Sequence, residues 1–262
     1  MSELTVRNSV KERLACGEVA SSMTVRLVRG VEIAQIAKTA GFDSLYVDLE
    51  HSSLSLETTS QICIAALAAG IAPFARVPQI ENIGRVLDGG ALGVIVPDVR
   101  SAETARAVVA AAKYPPLGER GFATALPHFQ YRSPPAAEAY PALNAATMVI
   151  VQFECAQAVE RAEEILSVEG IDMVLIGTND LTADMGIAGQ YDHPKVRDAY
   201  ARTIAAAGKH GKHVGVGGLG SRPKLTAEFV KMGARYVSTG TDLGFLLSAA
   251  TEQAKQVRAL ET

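Results

Sequence analysis

The stretch TMVIVQFECAQAVERAEEILSVEGIDMVLIGTN (147–179) holds one complete unit of the pattern that organises the chain. TMVIVQFE (147–154) is a β-branched apolar run that turns polar only at Gln152 and Glu154. AVERAEEILSVE (158–169) carries apolar residues at helical spacing, Gly170 follows, and MVLIGTN (173–179) is a second apolar run with a polar end. Nearly continuous apolar runs are expected of parallel strands covered on both faces. A glycine between helix and strand supplies a left-handed C-cap. Strand, helix and strand in that order predict a βαβ unit.

The same unit recurs in both directions. Upstream lie SLYVDLE (44–50), APFARVP (72–78) and GVIVPDV (93–99), preceded by a weaker first strand within VASSMTVRLV (19–28). Downstream lie HVGVGGL (213–219) and YVSTGTD (236–242). Amphipathic patterns predict helices over 31–40, 56–69, 101–113, 195–210 and 223–232, a short one over 81–89 and a last one over 245–260. Gly41, Gly70, Gly211 and Gly233 stand where Gly170 does, and Ser101 is placed as an N-cap. Eight strands alternating with about eight helices predict an α/β fold, one (β/α)8 TIM barrel across 1–262. No GxGxxG follows the first strand, which argues against a dinucleotide-binding sheet, and GVGGLG (215–220) is a weak phosphate cradle. The long stretch at about 114–146, rich in Pro and Gly, reads as irregular: a lid or a subunit contact.

Composition narrows the function classes. Twenty-five basic and 28 acidic residues give a net charge of -3. They form no basic block, so neither a nucleic-acid nor a membrane partner is expected. Three cysteines without CxxC spacing, and an N-terminus without an apolar run, predict a reduced cytoplasmic setting.

Barrel chemistry gathers at the C-terminal ends of the strands. The second strand brings Asp48, Glu50 and His51 there, the third Arg76, and the fifth Gln152 and Glu154. The loop after the sixth brings Asn179 and Asp180; Asp98 and Asp242 follow the fourth and eighth strands. Glu154 and Asp180 can jointly hold a hard divalent cation and leave positions for water and substrate. Such an open metal can chelate a 2-oxo acid and polarise its carbonyl. Arg76 suits an enolate oxygen, and His51, oriented by Asp48, suits a base working near neutral pH. No lysine sits at a strand end, which disfavours a Schiff base. Each residue alone has a plainer reading, as a loop residue or an ion-pair member; their convergence on one mouth is the argument. His128 lies in the long loop and is left out of the set, as are His193, His210 and His213. Cys63 and Cys155 read as packing.

At these residues the chain resembles the HpcH/HpaI aldolase family. AGFDSLYVDLEH (40–51), FARVP, RVLDGGALGVIVP, AKYPPLGERG, VQFE, GIDMVLIGTNDL and MGARYVSTGTDLG follow one another in the family's order over nearly the whole chain. The resemblance implies a phosphoenolpyruvate/pyruvate-type barrel and a class II aldolase. Its reaction would cleave 4-hydroxy-2-oxo acids reversibly to pyruvate, or a related donor such as hydroxypyruvate, and an aldehyde. It implies Glu154 and Asp180 as ligands of Mg²⁺, Mn²⁺ or Co²⁺, Arg76 as the enolate arginine and His51 with Asp48 as the acid–base pair. Gln152 and Thr178 are taken as substrate contacts. Asp88 would reach a neighbouring subunit's site in a homo-oligomer, a hexamer or trimer, with the last helix packed on a partner barrel. The chain differs from the family in reading GTND where Gly-Pro-x-Asp is commoner, in Ser52 after the histidine, and in having no tryptophan. The alternatives are an oxaloacetate decarboxylase, a citrate-lyase-like acyl-CoA lyase and a non-catalytic metabolite-binding barrel. The second lacks a basic cluster to receive the nucleotide.

Overall fold

The computed structural model describes residues 4–261. Eight parallel strands close into a barrel in chain order: β1 (Ala20–Val25), β2 (Ser44–Asp48), β3 (Ala72–Arg76), β4 (Gly93–Val96), β5 (Met148–Phe153), β6 (Met173–Gly177), β7 (His213–Gly217) and β8 (Tyr236–Thr241). All seven strand segments quoted from the sequence, and the weaker first one, contain an observed strand.

Alternation along the strands divides the barrel axis into a floor and a mouth. Residues two apart share a face. Inward-facing Phe74, Ile95, Met148, Ile150, Met173, Leu175 and Tyr236 pack into one buried apolar cluster. Two residues further along β5 and β3 the same faces carry Gln152 and Arg76. Outward-facing Val149, Val151, Phe153 and Cys155 pack into a second cluster with the helices, so Cys155 is packing, as its place in the alternation implied. Cys63 is fully buried.

An early helix that the charged N-terminus had concealed, α1 (Ser9–Ala15), closes the floor. Its Val10 and Leu14 join the inner cluster. Asn8 caps it from the side-chain oxygen and donates its amide to the carbonyls of Leu92 and Ala146 at 3.3 and 2.8 Å. The crossover helices follow: α2 (Glu32–Thr39), α3 (Leu56–Ala69), α4 (Ile83–Asp88) and α5 (Ala102–Ala112). Gly41, Gly70, Gly170, Gly211 and Gly233 all have positive φ, as their C-cap positions require.

Three segments depart from the reading of the sequence. The stretch 114–146 ends in a helix, α6 (Ala136–Ala146), that carries Pro141 inside it. The proline removes one backbone donor, but Ala139, Ala142, Leu143 and Ala146 are buried along one face. The helix expected over 158–169 is two, α7 (Ala156–Glu160) and α8 (Ala162–Leu166), broken at Arg161. The burial pattern runs on through the break, which is why periodicity did not reveal it. The residues after β6 form a helix, α9 (Thr178–Asp184), that crosses one edge of the mouth. Then come α10 (Pro194–Lys209) and α11 (Pro223–Met232).

The last helix, α12 (Asp242–Arg258), is buried only at Asp242. From Leu243 to Arg258 its residues are exposed, among them Phe245, Leu246, Leu247 and Val257. Among the described residues no helix is long and apolar enough to cross a membrane.

Candidate active site

Strand register assembles the mouth. Asp48 on β2 is paired with Arg76 on β3, and Val25↔Val47 on β1 and β2 brings the next residue, Arg26, level with Asp48. The outcome is a row of three charges. Arg76 forks onto Asp48, with Nε 2.8 Å from Oδ1 and Nη2 2.6 Å from Oδ2. Arg26 donates Nε to Oδ2 at 2.6 Å. The backbone N–H groups of Glu50 and His51 complete the shell on Oδ1. Asp48 is fully buried and Arg76 nearly so. Burial opposes the charged carboxyl, yet the Arg76 fork and the nearby Arg26 hold Asp48 down at about 2. Arg76 also meets Glu50, Nη1 to Oε2 at 3.0 Å.

Across the mouth, Glu154 follows β5. Its Oε1 accepts from Gln152 Nε2 at 2.6 Å and its Oε2 from the backbone N–H of Asp98 at 2.9 Å. Asp98 takes a left-handed backbone (φ 52°), which aspartate tolerates better than most residues; its own carboxylate turns outward to Arg100. Burial first, then repulsion from Glu50 and Asp180, pushes the Glu154 carboxyl up to about 7. Gly177 is what lets Glu154 sit there. A Cβ at that position would lie 2.8 Å from Gln152 Nε2 and from Glu154 Cγ.

A cavity of about 280 Å³ opens between these walls. Arg26, Arg76, His51, Gln152, Thr178 and Asp180 line it, with Tyr46 and Leu175 beneath. Gln152 Oε1 is buried without a hydrogen-bond partner among the described residues. Crowded carboxylates and an orphaned amide oxygen fit a hard cation. Among the described residues no group of three His, Cys, Asp or Glu side chains is placed to enclose one.

The structure brings together most of the residues singled out from the sequence, but Asp48 does not meet the ring of His51 as expected, and Asp88 stands apart from the mouth. His51 is half exposed at the rim, and its ring lies 3.7 Å from Glu50 Oε2. Asp48 meets His51 through the backbone N–H, not the ring, because two guanidiniums occupy its oxygens. Thr178 is at the wall, but its hydroxyl is bonded to the Gly217 carbonyl (2.7 Å) and Tyr200 Oη (2.8 Å). Asp88 ends α4 at the opposite end of the barrel and pairs with Arg120 at 2.6 Å. His128 is also far from the mouth: its Nε2 lies 3.1 Å from the carbonyl of Ala91, just before β4, and burial holds its ring down at about 4.

Two further residues shape the mouth. Arg26 lay in a first strand whose limits were not fixed; the polar alternation Ser22-Thr24-Arg26 was its signal. Asp242 stands at the strand end as expected, but as a brace. Its carboxylate accepts the backbone N–H groups of Arg26, Leu27 and Val28 at 2.9, 3.0 and 2.8 Å.

A parallel barrel with an arginine–carboxylate row facing a carboxylate pair across its C-terminal mouth is built as an enzyme that handles small anions and their carbonyl groups. The chain belongs to the HpcH/HpaI aldolase/citrate lyase family, which it matches over residues 29–249. It is 38% identical over 259 residues to a 4-hydroxy-4-methyl-2-oxoglutarate aldolase of Hapsidospora irregularis, covering 97% of this chain and 96% of that one. It is 33% identical over 254 residues to a 4-hydroxy-2-oxo-heptane-1,7-dioate aldolase of Salmonella typhimurium, covering 94% and 92%. The crystal structure of an HpcH/HpaI aldolase from Desulfitobacterium hafniense superposes with a TM-score of 0.90 at 32% identity, covering 96% and 97% of the two chains. The protein is an aldolase, a carbon–carbon lyase.

Proposed function

We propose that the enzyme cleaves and re-forms the C3–C4 bond of 4-hydroxy-2-oxo acids, using a divalent cation, Mg²⁺, Mn²⁺ or Co²⁺, held by Glu154 and Asp180. The observation that carries this reading is the crowding of Glu154, Asp180 and Glu50 at a half-enclosed mouth that Arg76 also lines. The bound cation supplies a Lewis acid for the 2-oxo group. The relatives' names, both of 4-hydroxy-2-oxo acid aldolases, support the substrate class.

The chain's own residues then divide the work. A guanidinium has five N–H donors; Asp48 takes one from Nε and one from Nη2, while Glu50 forms an ion pair with Nη1 at 3.0 Å without a hydrogen bond. N–H donors on the two Nη atoms are left for the oxygen at C2 as it becomes an enolate. His51, at the open rim, takes the proton of the C4 hydroxyl. The C3–C4 electron pair passes into the C2–C3 double bond of the enolate, and the carbonyl fragment leaves. Protonation at C3 gives pyruvate. Asp48 is a positioning residue that fixes Arg76. Gln152 holds Glu154 through its side-chain N–H.

We further infer a homo-oligomer. The exposed apolar side chains of α12 have a counterpart in an apolar cavity of about 460 Å³ beside β8, lined by Leu219, Pro223, Ala227, Val230 and Val237. In a trimer or hexamer the last helix of one subunit would cover this face on another. Asp88, outside its own cavity, is assigned to a neighbour's mouth.

The test is exchange of pyruvate C3 protons into deuterated water, followed by NMR, which needs no knowledge of the acceptor. Enzyme stripped with EDTA is expected to be inactive and to recover with Mg²⁺ or Mn²⁺. Glu154→Ala is expected to fold as the wild type and to show no metal-dependent exchange; full exchange in that variant refutes the metal assignment.

A further inference from the structure

We infer that Arg26 selects 4-hydroxy-2-oxo acids that carry a second carboxylate on the C4 side. This rests on the aldolase reading above and adds a residue that determines specificity. In a closed barrel of eight strands in chain order, β1 stands opposite β5. Glu154 follows β5 and Arg26 follows β1. A 2-oxo acid with its carboxylate end on the Glu154 side and its C2 oxygen against Arg76 points its far end to the wall beside Arg76, which Arg26 shares with Thr24, Ser238 and Thr241.

Neutralising Asp48 does not account for Arg26. Asp48 already has the two-pronged bond from Arg76 and two backbone N–H groups. Arg26 gives it only Nε, and among the described residues neither Nη of Arg26 has a hydrogen-bond partner in the structure. Its side chain is about one-third exposed (34%) and lines the cavity. Of the residues lining that cavity, Arg26 and Arg76 are the only Lys or Arg, and Arg76 is shared between Asp48 and Glu50. A second anionic group entering a mouth that also contains Asp180, Glu154 and Glu50 needs a counter-charge, and Arg26 supplies two free edges for a paired contact with a carboxylate.

The local backbone is fixed to the same end. Asp242 is buried and collects three successive N–H groups from residues 26–28, so the turn that launches the Arg26 side chain is held by a carboxylate instead of by solvent. Register then sets its Nε on Asp48, which leaves both Nη groups at the cavity wall.

The experiment compares two substrates of equal length, 4-hydroxy-2-oxoheptanedioate and 4-hydroxy-2-oxoheptanoate, in wild type, Arg26→Met and Arg26→Lys. Each kcat/KM is measured by the pyruvate released. The wild type is expected to prefer the dianion. In Arg26→Met that preference should fall on the order of 10- to 100-fold, the range for losing a charge-assisted contact, and Arg26→Lys should restore part of it. An equal loss on both substrates overturns the proposal and makes Arg26 a positioning residue acting through Asp48. An unchanged preference also overturns it. Should the wild type show no metal-dependent exchange of pyruvate protons, the aldolase reading fails and this proposal with it, so the two failures are distinguishable.

Discussion

Replacing Asp48 by asparagine tests the charge row on which the whole β1–β3 side of the mouth depends. The amide keeps the shape of the carboxylate but removes its charge and turns one acceptor into a donor facing a guanidinium. Arg76, 4% exposed, would be left with Glu50 as its only carboxylate. The magnitude can be worked from the site. A carboxyl held at about 2 instead of 3.8 corresponds to roughly 2 kcal/mol of folding free energy. Truncation costs more than that, because it strands the buried partner, and about 3–5 kcal/mol is the range for breaking such a pair. For a chain of this size each kcal/mol moves Tm by about 2–4 °C, so a fall of about 6–20 °C is expected. Urea unfolding at one fixed protein concentration gives the free energy directly. The pH dependence has a definite sign. The folded pKa lies below the unfolded one, so the stabilisation is complete above about pH 4 and is lost as pH falls through about 2, roughly half remaining at pH 3. The gap between wild type and Asp48→Asn should therefore narrow from pH 7 to pH 3. A loss under about 0.5 kcal/mol at pH 7, the size of an ordinary surface change, or a gap that widens toward pH 3, refutes the reasoning.

Two further outcomes follow from other parts of the molecule. Gly177→Ala introduces a Cβ 2.8 Å from Gln152 and Glu154; the strand should persist while Mn²⁺ affinity, read by calorimetry, falls at least about tenfold, as losses at groups supporting a metal ligand do. Unaltered affinity would mean that Glu154 does not need its present position. Leu246→Glu with Leu247→Glu places charge on the exposed face of α12 and is expected to lower the oligomeric mass measured by light scattering, whereas an unchanged mass removes α12 from the interface.

How much of this was legible in the sequence depended on which face of each strand was apolar. Strands β3 to β6 are buried on both sides, and their runs stood out for that reason. β1 did not, because its inner face carries Ser22 and Thr24 against Ser238 of β8, where Thr24 Oγ1 lies 3.5 Å from Ser238 Oγ. A strand that lines a polar cavity loses the apolar signal, so Arg26 at its end was concealed by its place on the cavity wall. Asp48, Glu50, Arg76, Gln152, Glu154 and Asp180 could be read because a strand end in this fold specifies direction as well as place. Their partners could not. Spacing of three suggested that Asp48 orients His51, yet the choice of partner was made across strands, by a register that brings Arg76 and Arg26 to the same carboxylate.

That register also explains why a buried charge row is compatible with a stable barrel. Asp48 lies one residue beyond Val47, whose side chain belongs to the apolar layer under α2 and α3. Slipping β2 by one residue against β3 would turn Val47 into the cavity and drive Asp48 into that layer, away from both arginines. An ionised carboxylate without partners in an apolar layer costs several kcal/mol, added to the loss of the Arg76 fork. Correct pairing is thus separated from its nearest competitor by the same three side chains that shape the mouth. The aligned row disfavours the slipped barrel while it fixes Arg76 on Asp48 and leaves the Nη groups of Arg26 at the cavity wall.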